Sequence, residues 1–385
     1  MAAQPLPPPQ ARLNRCLATL ACQAADRAPL YAPAISCGVS SALLGRPVHT
    51  GTGSLHYAEV AAWADGEAAH AEFEARLVED VVAVHRALDL DVLRMPWRMN
   101  VRPDARLDKY TFRFGPEAGE HTLWQYQPST ADFSPMYQSP RADPPEVRLR
   151  REVARLESEL ADPLPAARAL IAPTVALWRQ FGAEFFVCGA NAHIAVGLEP
   201  DDLELLVTAP DLVLQRTLLQ AGQAIAMGRA LKETGCPAII LGGGDLAGNQ
   251  GPFYSPAMFR ALVLPGYVQA LAELNRMGVH YFFRSDGNLW ALMDMLFAEA
   301  GCPGYGETDR VATMTVAAVR ARFPHLVIWG NVSSSLLAGG TPAQVRAQAR
   351  TALTEAGGRG YFQGCSNALV QGTPLENVRA MYAER

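Results

Sequence analysis

Apolar residues recur along this chain with two different spacings, and the switching between them is its plainest feature. Over residues 71–89, Phe73, Ala75, Leu77, Val81, Val82 and Leu88 form a one-sided stripe, which predicts a helix packed on one face. A short apolar run, Asp91-Val-Leu-Arg-Met-Pro96, follows and reads as a strand. Residues 100–145 differ in texture. Tyr110-Thr-Phe-Arg-Phe114 and Thr122-Leu-Trp-Gln-Tyr126 flank Gly115-Pro-Glu-Ala-Gly-Glu120, the pattern of a β-hairpin, expected to lie over one mouth of the fold. From residue 146 the alternation is regular. Helical stretches at 146–160, 164–181, 210–233, 256–277 and 289–300 alternate with apolar runs at 184–188, 238–241, 279–283, 326–329 and 360–363.

Apolar strands separated by helices of ten or more residues imply parallel strands joined by crossovers. An open doubly wound sheet would give the same alternation. The placement of polar residues favours a barrel, because Trp97-Arg98, Asn191, His193, Asp245, Arg284 to Asn288, Asn331 and Cys365 to Asn367 each follow a strand. In a (β/α) barrel the site is assembled from those C-terminal strand ends. The expected fold is therefore α/β, a (β/α)8 TIM barrel spanning residues 71–385. A small β-hairpin excursion and an N-terminal extension, an irregular arm with short helices over residues 1–70, complete it as one domain.

The 385 residues, 49% hydrophobic and 18% charged, suffice for one large core. A net charge of −5 speaks against sequence-independent nucleic-acid binding, which needs excess cations. The Pro-rich start, Met1 to Gln10, lacks the basic-then-apolar pattern of a signal peptide, and no apolar run is long enough to span a bilayer. Seven cysteines, an odd number in a long chain, do not read as a disulfide framework, so a cytoplasmic setting is expected. Gly242-Gly-Gly244 before Asp245 lacks the Gly-Lys-Ser/Thr ending of a phosphate loop. His280, inside an apolar strand, reads as a core residue.

The last third holds Gly330-Asn-Val, Leu336-Leu337, Gly340-Thr-Pro-Ala-Gln-Val345, Gly364-Cys365, Gly372-Thr-Pro374 and Glu376-Asn-Val-Arg-Ala-Met381. Thr341 and Thr373 read as N-caps with Pro at the first helical position. Upstream stand Gly244-Asp-Leu-Ala-Gly-Asn-Gln-Gly-Pro252 and Ser255-Pro-Ala-Met-Phe-Arg260. Together these resemble the uroporphyrinogen decarboxylase superfamily over about residues 180–385. The first strand lacks the carboxylate of the decarboxylases, and Cys365 stands where they have His. The resemblance therefore implies the other branch, methyltransferases that exchange a methyl group with a corrinoid protein. The reading is a methyltransferase or demethylase component acting on a small methylated compound, the corrinoid (cobalamin) supplied by a partner protein. A decarboxylase, a lyase holding its carboxylate with Arg94, Arg98 and Arg284, is the alternative, and a non-catalytic ligand-binding or scaffold barrel a third class.

That branch carries a zinc site of His-x-Cys and a later Gly-Cys. Here Gly364-Cys365 is kept, but Arg284-Ser-Asp-Gly287 replaces the His-x-Cys step, and a guanidinium cannot ligate a cation. Three readings stay open. Asp286, Glu307 and Cys365 hold a metal such as zinc; or Arg284 clamps an anionic substrate group while Asp286 or Glu307 acts as acid or base; or Arg284 pairs with a carboxylate only to hold the mouth. His193 is a further acid/base candidate. Trp97, Arg98, Asn191, Asp245, Asn288, Tyr305, Asn331 and Asn367 are the expected substrate contacts.

Overall fold

The computed structural model describes residues 9–385; residues 1–8, most of the Pro-rich start, lie outside the described residues. Seven strands make one parallel sheet: β1 (Val92–Arg94), β2 (Phe186–Asn191), β3 (Ile239–Gly243), β4 (Tyr281–Arg284), β5 (Gly304–Thr308), β6 (Val327–Val332) and β7 (Tyr361–Cys365), hydrogen-bonded in that order. The six expected strands all belong to it. β5 is an addition, from a Gly-rich stretch without an apolar run. Helices cover the outer face, among them Glu67–Ala87, Pro145–Ala161, Pro163–Phe181 and Pro210–Thr234. The helix expected over 256–277 is two helices, Pro256–Leu262 and Leu264–Met277. They part where Pro265 can donate no backbone N–H and disfavours the helical conformation of the residue before it. The one expected over 289–300 reduces to a π-helical turn, Asp294–Glu299.

Side-chain parity along each strand separates two packed layers. Val92, Phe186, Cys188, Ile239, Leu241, Phe282, Val327, Trp329 and Phe362 meet on the inner face, closed from below by Cys16 and Leu20 of helix Pro9–Leu20. The intervening Leu93, Val187, Ile240, Phe283 and Ile328 pack outward against helices. β5 fills no inner space itself. A Cβ on Gly304 would lie 2.6 Å from the Phe282 ring and one on Gly306 2.1 Å from the Trp329 ring, so the glycines admit their neighbours' aromatics.

Curling brings β1 and β7 near one another, but no ladder joins them. Instead the extended segment 29–31 runs through the seam. Tyr31 N donates to Gln363 O and Gln363 N to Pro29 O, while Asp91 N donates to Leu30 O. Among the described residues the sheet is thus a curled one of seven parallel strands, with this segment bonded at its seam where the expected ring would have an eighth strand. Gly364 allows the approach, since a Cβ there would stand 2.3 Å from Tyr31 O. Gly364→Ala is expected to cost about 1–3 kcal/mol by overpacking the seam, readable as a lower urea midpoint.

The short helices expected in the N-terminal arm are there among the described residues, Cys37–Leu44 and Thr52–Asp65 following the first. The hairpin grows into a four-stranded antiparallel sheet over residues 105–138. It seats Phe112 and Phe133 on Val60 of helix Thr52–Asp65. Tyr57 of that helix stacks on Tyr126 with centroids 4.3 Å apart.

Candidate active site at the C-terminal rim of the sheet

Because the strands are parallel, their C-terminal ends share one rim, and parity decides which rim side chains look inward. On β4, Phe282 is inner and Phe283 outer, so Arg284 is inner. The next strand should by the same alternation turn Glu307 outward with Tyr305. It does not, because the pairing of β5 with β6 shifts register between Tyr305 and Thr308. Glu307 there adopts φ 65°, a left-handed conformation that costs a non-glycine residue about 1–3 kcal/mol. This irregularity delivers the Glu307 carboxylate to Arg284, whose Nη1 donates to Oε1 at 3.1 Å. Burial pushes Glu307 above the usual carboxyl range, against the pull of the Arg284 and Arg94 guanidiniums.

Asp286 sits two residues beyond Arg284. Its backbone is fixed by Ser285, whose Oγ donates to Asp286 O and accepts from Leu246 N, tying the loops after β3 and β4 together. Gly287 (φ 79°) passes so close to Ala247 O that a Cβ would lie 2.3 Å away. Asn367, after β7, donates from Nδ2 to Asp286 Oδ2 at 2.5 Å. Desolvation first, then the charge of Glu307, pushes the Asp286 carboxyl up to about 7, with Asp245 and Asp309 adding to the rise. A carboxyl poised there can give or take a proton near neutral pH. His193, whose Nδ1 lies 2.7 Å from Gly243 O, is pulled down by desolvation and by the nearby Arg284 and Arg94. The rim therefore brings Arg284, Asp286, Glu307, His193 and Asn367 together, with Asp245 at its exposed edge.

Comparison with known proteins fits this architecture. Residues 203–385 match the family described as uroporphyrinogen decarboxylase (URO-D). That part of the chain is uroporphyrinogen decarboxylase-like. A methyltransferase from Methanosarcina mazei superposes with a TM-score of 0.62 at 17% identity, over 97% of each chain. At that identity the likeness speaks for the fold. No curated protein matches the chain.

Several expected contacts fall elsewhere, both inside this uroporphyrinogen decarboxylase-like part and before it. Cys365 is the first correction. On β7, Phe362 is inner and Gly364 faces the seam, so Cys365 turns outward among Leu337, Val345, Val378 and Met381. It is 0% exposed, and burial pushes its thiol up to about 12. Tyr305 also faces outward and packs on Phe297 at 5.2 Å. Asn331 is fully buried and donates to Thr308 O and Met314 O, a brace beneath the rim. Trp97 is exposed and meets His56 edge-on. Arg98 is bound to Glu59 and Glu74 on the helices that precede β1. Asn288 accepts from Trp290 N through its side chain, and Asn191 donates to Gly189 O; both shape their own loops.

The donor set does not fit zinc. Cys365 is on the far side of the sheet, and the Arg284 guanidinium occupies Glu307. Among the described residues no three His, Cys, Asp or Glu side chains are grouped to hold an ion. Elemental analysis of purified protein is expected to give far less than one zinc per chain. A full equivalent that disappears in Asp286→Ala would restore the three-ligand reading.

Arg94, at the end of β1, belongs to the same rim; the sequence offers it only as a carboxylate contact for the decarboxylase alternative. Val92 is inner and Leu93 outer, so parity turns Arg94 inward. Its signal in the sequence was a charged residue closing an apolar strand.

Proposed function

We propose that the chain is a methyltransferase or demethylase component that moves a methyl group between a small methylated substrate and a corrinoid protein. The observation that carries this reading is Asp286, a half-buried carboxyl with its pKa near neutrality, fixed by Asn367 beside the Arg284–Glu307 pair. Breaking a bond from methyl to a heteroatom leaves negative charge on that atom, and a neutral carboxylic acid beside it can supply the proton. The corrinoid protein, docked at the rim, supplies the cobalt centre with which the methyl group is exchanged. Protonated Asp286 donates from its carboxyl to the leaving heteroatom, and in the reverse direction the carboxylate takes that proton back. Asn367 keeps one carboxyl oxygen occupied, so the other faces the substrate. Arg284 and Glu307 orient the substrate's polar end, and Arg284 contributes a charge that persists at any working pH. The same reading takes segment 29–31 as the eighth position of a closed barrel, with the rim as its mouth.

The test uses small methylated amines, ethers and thioethers with free cob(I)alamin as methyl acceptor, followed by its visible absorbance. Methylcobalamin formation that depends on the chain supports the proposal. Release of CO2 from carboxylate substrates with no methylation of cobalamin would overturn it in favour of a lyase.

A further inference from the structure

Arg94 is 9% exposed, and no carboxylate lies within ion-pair distance of it among the described residues. Its Nη1 donates to Tyr31 Oη at 3.2 Å and to Pro33 O at 3.0 Å. Its Nε and Nη2, which carry three N–H groups, have no protein acceptor. A buried guanidinium without a counter-charge is strongly disfavoured, since desolvation is not offset by a partner. The contrast within this protein is sharp. Arg12, Arg15 and Arg216 are also buried, more deeply still, and each has a carboxylate.

Arg284 is under-satisfied in the same way. It gives one bond, to Glu307, and its Nε is sealed from solvent with no partner. Strand parity turns both guanidiniums to the inner face at the C-terminal rim, with Cys188 level with Arg94 on the neighbouring strand. Both lie close enough to act on the same groups, Tyr31, Cys188 and Glu307. Of the two fixed positive charges on the inner rim, Arg284 is therefore paired with Glu307 and Arg94 is not, while Asp286 is held by Asn367 rather than by either guanidinium.

We infer that Arg94 and Arg284 together seat a single carboxylate group, so that the small molecule handled at this rim is a monocarboxylate. Arg94 is its anchoring residue: planar N–H pairs match the two oxygens of a carboxylate, and one negative charge supplies the partner that Arg94 lacks. A dianion such as a phosphate monoester would bring more charge than the single unpaired guanidinium matches and would crowd Glu307. The inference rests on the proposed function only in placing the substrate at this rim.

Binding is therefore tested without any methyl acceptor, so that failure of methyl transfer leaves the result readable. Thermal shift of the full chain is measured with methoxyacetate, with its neutral counterpart methoxyacetamide, and with methyl phosphate. Methoxyacetate is expected to raise Tm and methoxyacetamide to leave it unchanged. Arg94→Met should weaken methoxyacetate binding about 10- to 100-fold, the loss of a charged hydrogen-bonded partner. Arg94→Lys, which keeps charge but not the planar geometry, should fall between. If Arg94→Met does not fold, the comparison of acid with amide in the unaltered chain decides. Equal shifts from acid and amide, no shift from the acid, tighter binding of methyl phosphate, or unchanged affinity in Arg94→Met would each overturn the inference.

Discussion

Asp286→Asn is expected to lower methyl transfer by about 10²- to 10⁴-fold, the range for loss of a general acid or base, with substrate binding little changed. The amide keeps the shape and the bond from Asn367 but has no proton to exchange. In the direction that needs the acid, kcat/KM of the unaltered enzyme should fall as pH rises through about 7, where the Asp286 carboxyl ionises. Stability should follow the same group. Asp286 binds its proton more tightly in the folded chain, near 7, than in the unfolded chain, near 3.8. The folded state thus loses stability progressively as pH climbs from the ordinary carboxyl range through 7. Asp286→Asn should consequently melt higher than the unaltered chain at a pH of about 8 and nearly level with it at about 4. A variant more active than the parent above neutrality, or one less stable there, would remove Asp286 from this role.

The largest loss of stability is expected from Asp91→Ala, by about 3–5 kcal/mol. Asp91 is 0% exposed and accepts from Arg15 Nη1, from Arg27 Nη1 at 2.7 Å and from Leu30 N at 2.7 Å. Its removal leaves a buried backbone N–H without an acceptor and two guanidiniums short of charge, at the point where segment 29–31 meets β1. Asp26 shares Arg15 but its side chain is 63% exposed, so Asp26→Ala should cost no more than about 1 kcal/mol. Urea denaturation of the two variants side by side checks both figures. Equal losses would show that solvent reaches the inner charge as freely as the outer one.

The parallel strands were legible because runs such as Ala238-Ile-Ile-Leu241 are apolar on both parities, as strands covered on two faces must be. β5 was not, because the space its side chains would fill belongs to Phe282 and Trp329. A strand built on Gly304 and Gly306 leaves no apolar run to read. At the site, Arg284 and Asp286 were legible from their place after an apolar strand, but facing is a matter of parity. One residue decides whether a rim side chain meets substrate or a helix, and Cys365 and Tyr305 fall on the helix side. Glu307 reaches the rim by breaking that parity, through a backbone irregularity that no spacing rule announces. Arg98 sits only four residues from Arg94, yet the chain has by then left the sheet, and Glu59 and Glu74 capture it. Arg94 was visible as a charge but not as an unpaired one, since pairing depends on which carboxylates the fold brings near.

The seam also sets an order of assembly. Segment 29–31 leaves the ribosome early, yet its partners on one side leave last: Tyr382 Oη donates to Tyr31 O across 351 residues of sequence, and Gln363 is nearly as distant. Until β7 emerges, the nascent chain carries β6 and the unpaired side of segment 29–31 as open edges with an aromatic inner face between them. Such surfaces invite pairing with other chains, and contacts this remote are the slowest to form. Translation is thus a prolonged exposure that ends only with the final strand. A ribosome-stalled chain ending before residue 361 should be readily digested by protease and captured by a general chaperone, whereas the released full chain should resist both.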